Sequence, residues 1–218
     1  MERWKQTKLG SGLTIASWER ISGGLEPGIY DRNWEIVISA IEDRFTARFI
    51  EPADAIQSWD KKATSAFPGG RGFAIVALDC LLLESLNGYE TGSSSNATAA
   101  TFHKLLTTKS QFAKSFSPLP RAKAFGWAVR HGLLHDGETR QGWIIRQGTI
   151  GGPLVQSLPD NRVVLYRDAF HAAVKACLAE YFAKLRNTHG LEGAQLRKAF
   201  MNRLNSLSRA SAPPHAIQ

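Results

Sequence analysis

The chain has 218 residues, enough for one domain with appendages, and hydrophobic residues make up 43% of it, enough for a real core. Its 27 Lys and Arg outnumber 19 Asp and Glu, a net charge of +8 that favours an anionic partner, nucleic acid ahead of a membrane surface, although an ordinary basic protein fits it equally well. The two cysteines form no disulfide framework or CxxC pair and the N-terminus has no apolar signal core, which excludes a disulfide-stapled secreted protein and favours the cytoplasm.

The first part of the chain is expected to be helical after an irregular N-terminal arm at 1–32. Apolar residues at helical spacing predict helices over 33–49, 72–89, 99–116 and 121–135, with a loop at 92–98. Pro52 either ends the first of these or starts a short helix near 53–59. The apolar run 73–83 is short and contains Asp79, so it predicts a buried helix and no membrane span.

The second part of the chain changes character after the fourth predicted helix. Two short strands are predicted at 143–146 and 162–166, and the Gly- and Pro-rich residues between them indicate a long hairpin, at about 143–166. Helices are then predicted over 168–186 and 193–207, with 208–218 disordered. The sequence therefore predicts a mainly α fold: a single helical domain over 33–207 with a small β-hairpin inserted before its C-terminal helices.

One motif on the fourth predicted helix indicates a specific type of reaction. In the sequence RHGLLH, Arg130 can hold a phosphate because it stays charged, and His131 and His135 can move protons near neutral pH. In an α-helix the two histidines lie away from the core together with Trp127, whereas Arg130 and His135 are about 140° apart. Two copies related by a two-fold axis would bring both groups to one cleft, so we expect a homodimer with the site at its interface.

This layout resembles the HEPN superfamily of helical bundles, whose RNase members share an Arg-x4–6-His motif, often with a polar residue directly after the arginine. Arg130, His131 and His135 match that motif, and the earlier run DCLLLE followed by RHGLLHDGET is similar to an uncharacterised group of bacterial HEPN-like proteins over roughly 35–187. The resemblance implies an HEPN-like bundle and a metal-independent endoribonuclease of phage defence, toxin–antitoxin or RNA-processing systems, with RNA as substrate. A catalytically silent module is the alternative, because some members of the superfamily have lost catalysis.

The expected mechanism is attack of the RNA 2′-OH on the adjacent phosphorus. His135 would be the general base or acid, Arg130 would stabilise charge on the phosphoryl oxygens, and His131 would position the phosphate or transfer the second proton. Asp79 and Glu84 lie in an apolar helix, where a carboxylate needs a partner, so one of them is expected to hold Arg130 or a histidine. An ordinary structural ion pair is the alternative.

Other interpretations of the same residues remain open. His131 and His135 with Asp136 and Glu138 could bind a metal, but Gly132 stands where an HExxH motif has its glutamate, so we expect neither metal nor cofactor. No role is assigned to His103, His171 or His189. A basic C-terminal stretch is expected to bind an RNA backbone, or else to be a solvated face or to contact an acidic protein. Its residues are Lys184, Arg186, Arg197, Lys198 and Arg203.

Two further functional classes are also compatible with the sequence. A silent HEPN-like module would bind RNA, a nucleotide or a partner protein within a defence assembly, and a structural or regulatory subunit would overlap with it. An antitoxin or another regulatory protein is a possible partner of an active nuclease.

Overall fold

Helices dominate the computed structural model, which describes residues 3–62, 71–93, 99–187 and 190–212. The α-helices are α1 (Ile15–Ser22), α2 (Arg32–Phe45), α3 (Glu51–Lys62), α4 (Arg71–Thr91), α5 (Ala99–Thr108), α6 (Ser110–Phe116), α7 (Leu119–Phe125), α8 (Arg167–Arg186) and α9 (Leu191–Ala210). The strands are β1 (Trp143–Arg146), β2 (Val155–Ser157) and β3 (Val163–Tyr166). The expectation of a mainly α fold with a small β insertion before the C-terminal helices is confirmed.

The N-terminal segment contains a capped helix where an irregular arm was expected. Thr14 is the N-cap of α1: its Oγ1 accepts from the backbone N–H of Ser17 at 3.2 Å, while its own N–H donates to Ser17 Oγ at 2.8 Å. This reciprocal pairing satisfies donors that a helix start leaves free. The helix then buries Trp18, whose Nε1 donates to Asn205 at 2.9 Å. The sequence signal for α1 was the pair Thr14 and Ser17, which are spaced as in a capping box.

Two predicted helices differ in their ends. The helix over 33–49 ends at Phe45 and continues through a π-helical turn (Thr46–Ile50) into α3, where Pro52 is tolerated because its missing N–H falls in the first turn. The helix over 99–116 is divided into α5 and α6 because Lys109 adopts extended backbone, with ψ 131°. At the other end of the chain α9 reaches Ala210, and residues 213–218 of the expected disordered tail lie outside the described residues.

The sheet has the order β1-β3-β2, with β3 in the centre. β1 pairs with β3 in parallel, Trp143 opposite Val163, and β2 pairs with β3 in antiparallel fashion, Val155 opposite Leu165. The expected hairpin between 143–146 and 162–166 is therefore wrong in direction. The intervening residues contain β2, which forms the hairpin with β3 and leaves β1 to pair in parallel through a crossover connection.

The chain divides into two compact units, each with its own aromatic core. The described residues of unit 1 lie within 1–47, 85–96 and 179–218, and those of unit 2 within 48–84 and 97–178. Ring contacts connect Trp34, Phe45, Tyr89, Phe182 and Phe200 in unit 1. Ring contacts connect Phe102, Phe112, Phe116, Phe125, Trp143 and Phe170 in unit 2.

Helix α4 is the one helix of the described residues that is long and apolar enough to cross a membrane. Its most apolar window is 61% buried inside the protein, and Asp79 within it is paired with another side chain of unit 2. Both features are typical of the core helix of a soluble protein. The prediction of a buried helix here is confirmed, as is the burial of both cysteine thiols, Cys80 and Cys177.

Candidate active site

The RHGLLH motif lies in a π-helical segment, Gly126–Asp136, that continues directly from α7. The segment ends at Gly137, whose φ of 73° is left-handed and whose N–H donates to the carbonyl of Gly132. Gly132 itself has no room for a side chain, because a Cβ there would overlap the backbone carbonyl of Glu138. The returning chain also bonds to the segment through Arg140, whose N–H donates to Ala128 at 2.9 Å. π-helical geometry is rare and is frequently found at functional sites.

The wider turn changes the relation between Arg130 and His135. In a helix with i→i+5 hydrogen bonds, residue i+5 lies little more than one turn beyond residue i. The side chains of Arg130 and His135 therefore project from the same side of this segment. The separation of about 140°, which assumed α-helical pitch, does not apply to this segment. A second copy of the chain is therefore not needed to bring Arg130 and His135 to the same side.

Arg130 is held by Glu84 of α4. Its Nε donates to Glu84 Oε1, and this hydrogen bond raises the pKa of the guanidinium above its ordinary value. Both side chains are partly buried, and no partner for the two terminal Nη groups of Arg130 is found in the described part of the chain. Glu84 thus fixes one edge of the guanidinium and leaves its outer fork available to an anion.

Trp127 and the two histidines of the motif form a row of three adjacent, mutually tilted rings, here termed the ladder. Ring centroids of Trp127 and His131 are 4.6 Å apart, and those of His131 and His135 are 4.4 Å apart. The guanidinium of Arg140 lies 4.8 Å from the centroid of Trp127, which is 50% exposed, and Arg140 also pairs with Asp136. Within the ladder His135 is exposed and His131 is half-buried.

The electrostatics of the ladder favour neutral His131. Desolvation and the neighbouring side chains of His135 and Arg140 hold the pKa of His131 below its usual value. Its Nδ1 is buried, and no hydrogen-bond partner for it is found among the described residues. A neutral imidazole can accept a proton or position a ligand near pH 7.

Asp79 pairs with His171, a histidine outside the motif. Its Oδ1 lies 2.7 Å from Nδ1 of His171 on α8, and the other ring nitrogen of His171 lies 3.1 Å from Oδ1 of Asp54, which also pairs with Lys175 at 2.9 Å. Asp79 and His171 are both 1% exposed. The expectation that one of the two carboxylates holds Arg130 applies to Glu84, and Asp79 belongs to a separate buried pair.

The pKa values of this pair reflect burial and mutual attraction. Burial raises the pKa of Asp79 to about 6, against the opposing hydrogen bond from His171. Burial alone would lower the pKa of His171, but its hydrogen bonds to Asp79 and Asp54 raise it. Because both ring nitrogens face carboxylates, His171 donates from both when it is protonated. The sequence signal for it was only the presence of Asp79 in an apolar helix, and His171 was assigned no role.

Most of the basic residues expected to bind RNA are occupied by other contacts of unit 1. Arg197 is 1% exposed and donates to the carbonyls of Pro27, Leu185 and Asn187, so it is a structural residue. The remaining partners are Glu180 and Glu192 for Lys184, Glu35, Glu42 and Ser39 for Arg186, and the carbonyl of Ser93 for Arg203. Lys198 is exposed, and no ion pair of its side chain is found in the described ranges.

Among the described residues, no group of three or more His, Cys, Asp or Glu side chains is arranged to hold a metal ion. Asp136, one of the acidic residues of the metal interpretation, pairs with Arg140. In comparisons with known proteins, the chain matches no protein-family model, no curated protein and no solved structure.

Proposed function

We propose that the protein is a metal-independent endoribonuclease of HEPN type that cleaves RNA by 2′-OH attack. The observation that carries the proposal is the π-helical pitch of Gly126–Asp136, which puts Arg130 and the exposed His135 on one side of a single helix. An arginine fork beside an exposed imidazole supplies charge stabilisation and proton transfer, the two requirements of phosphodiester cleavage without a metal.

In the proposed reaction the 2′-oxygen bonds to phosphorus and the 5′-oxygen leaves, giving a 2′,3′-cyclic phosphate and a 5′-OH. The free Nη groups of Arg130 bind the phosphoryl oxygens, while Glu84 keeps the guanidinium in place through Nε. His135 transfers a proton, and His131 is oriented by the ladder to position the phosphate or to transfer the second proton. DNA lacks the 2′-OH and is not a substrate.

A second candidate is a silent HEPN-like module that binds RNA, a nucleotide or a partner protein. The ion pair between Arg130 and Glu84 favours it, because a neutralised arginine attracts phosphate less strongly than a free one. As part of either proposal we place the protein in the cytoplasm, within a defence or toxin–antitoxin assembly, with an antitoxin or another regulatory protein as partner. A homodimer also belongs to the proposal, on the resemblance alone.

Incubation of end-labelled RNA with the purified protein in EDTA tests the proposal. We expect cleavage with 2′,3′-cyclic phosphate ends, loss of cleavage in His135→Ala, and a fall of about 10²–10³-fold in Arg130→Lys, which keeps the charge but loses the fork. Arg162→Lys is the matched control, because Arg162 is an exposed arginine paired with Asp160. Absence of cleavage by the wild type, or wild-type cleavage by His135→Ala, would refute the assignment and favour the binding module.

A further inference from the structure

A third histidine lies against the π-helical segment. His103 of α5 packs on Gly126, the first residue of that segment, and an ideal Cβ on Gly126 would overlap His103 Nε2 and lie 3.0 Å from its Cδ2. The imidazole therefore occupies the space that a side chain at 126 would fill. His103 is half-buried, and no hydrogen-bond partner for either ring nitrogen is found among the described residues.

His103, through its contact with Gly126, and His135 lie on opposite sides of Arg130 along the π-helical segment. Gly126 precedes Arg130 by four residues, about one turn, and His135 follows it by five. Gly126 and His135 are nine residues apart, which even at the α-helical rise of about 1.5 Å per residue is no more than about 14 Å along the helix axis. Along the segment, Arg130 thus lies between the residue on which His103 packs and His135, so one imidazole is available on each side of Arg130, as in-line displacement needs for its base and its acid.

The charges around His103 keep its imidazole neutral near pH 7. Partial burial lowers its pKa, and the cations of Lys123 on α7 and Arg130 on the π-helical segment act in the same direction. Glu84 of α4 faces Arg130 and moderates that second effect. A neutral imidazole beside two cations is suited to accept a proton from a hydroxyl whose phosphate those cations attract.

We propose that His103 is the general base of the Arg130–His135 site, an inference that rests on the proposed endoribonuclease function. An unprotonated ring nitrogen of His103 takes the 2′-OH proton as the 2′-oxygen bonds to phosphorus. As the bond from phosphorus to the 5′-oxygen breaks, His135 donates a proton to that oxygen. One proton is thereby moved from the 2′-oxygen to the 5′-oxygen, and exchange with solvent resets both histidines.

Single-turnover cleavage of RNA in EDTA tests this role with two variants. His103→Ala should lower the cleavage rate about 10²–10⁴-fold, with little change in KM. Gly126→Ala should lower the rate too, because its Cβ displaces the ring of His103 while the helix backbone keeps its conformation. In the double variant, Gly126→Ala should have no further effect. Gly28→Ala is the matched control, since a Cβ there meets no atom within 4 Å.

A substrate with a bridging 5′-sulfur separates the base from the acid. A thiolate leaves without protonation, so this substrate should restore most of the rate of His135→Ala and none of the rate of His103→Ala. The acidic limb of the rate–pH profile, which reports protonation of the base, should also lose its His103 inflection in His103→Ala. A residue that only supports the fold would change neither the leaving-group dependence nor the shape of the profile.

The possible failures are distinguishable. If the wild type cleaves RNA but His103→Ala and Gly126→Ala cleave at its rate, only the role of His103 is overturned. If the sulfur substrate rescues His103→Ala, His103 is not the base. If the wild type leaves RNA intact, the endoribonuclease proposal fails and the base role fails with it.

Discussion

Arg130 and Asp79 show how partners decide the role of a charged residue. Both contact a buried or half-buried partner of opposite charge, Glu84 for Arg130 and His171 for Asp79. Arg130 keeps its outer fork free and can act on a ligand. Asp79 and His171 are each 1% exposed, so their interaction stabilises unit 2 and reaches no ligand directly.

Replacement of His171 by glutamine should destabilise the fold more at about pH 6 than at about pH 9. Removing one partner of a buried ion pair costs about 3–5 kcal/mol. Because the pKa of His171 is raised on folding, its protonated form contributes stability that is fully present below the unfolded pKa of about 6.5 and is lost as pH rises through the folded value. Guanidinium unfolding at about pH 6 and about pH 9 should show a larger loss at the lower pH.

The matched control for this prediction is His135→Gln. His135 is exposed, so the variant should change the free energy of unfolding by less than about 0.5 kcal/mol at either pH. An equal loss for His171→Gln at both pH values would show that the ring contributes by packing alone.

At the scale of elements, the π-helical segment depends on two glycines with different surroundings. A Cβ on Gly132 would overlap a backbone carbonyl, that of Glu138, whereas a Cβ on Gly126 would overlap only the end of the His103 side chain. A side-chain tip can move at small cost, but a backbone carbonyl that is part of a helix end cannot. Alanine substitutions at the two positions therefore compare a clash with the backbone and a clash with a movable side chain.

Gly132→Ala should destabilise the protein by about 1–3 kcal/mol, because the returning chain must move away. Gly126→Ala should be neutral or stabilising by up to about 1 kcal/mol, since alanine is the better helix former. Chemical unfolding of both variants measures the difference. Equal stability of the two would mean that the contact between Gly132 and Glu138 does not hold the segment in place.

The sequence predicted most elements of the fold, but it did not predict the π-helical pitch of Gly126–Asp136. Ala122, Phe125, Val129 and Leu133 follow helical spacing in the sequence, and all four are buried. The choice of i→i+5 over i→i+4 bonding depends on the later residues that fold back on Ala128 and Gly132, and no local pattern records it. The partner of Asp79 is 92 residues away, which explains why sequence spacing did not indicate it.

For the molecule as a whole, the net charge of +8 overstates the charge available to a ligand. In unit 1, Lys184 and Arg186 pair with acidic side chains, and Arg197 donates to three backbone carbonyls. Counting basic residues in the sequence could not separate these from a solvated cation such as Lys198. The buried Arg197 and the exposed Lys198 are therefore adjacent residues of α9 with different surroundings.

Arg197→Ala should lower the free energy of unfolding by about 3 kcal/mol or more, because three carbonyls lose a buried charged donor. Lys198→Ala should leave stability within about 0.5 kcal/mol of the parent and lower the salt dependence of RNA binding by about one unit of slope. Unfolding and RNA-binding titrations across salt, on a His135→Ala background, measure both. An unchanged salt slope in Lys198→Ala would place the RNA away from this helix.

The i→i+5 pitch of Gly126–Asp136 also bears on what a motif spacing means. Four residues separate Arg130 from His135, and three residues would separate two side chains in the same relation on an α-helix. The longer spacing between Arg130 and His135 is thus compensated by the wider pitch of the helix that carries them. One extra residue between two such side chains can be accommodated by a wider helical turn that leaves both on the same side of the helix. The number of residues in such a motif can then vary while the relative position of its two side chains stays the same.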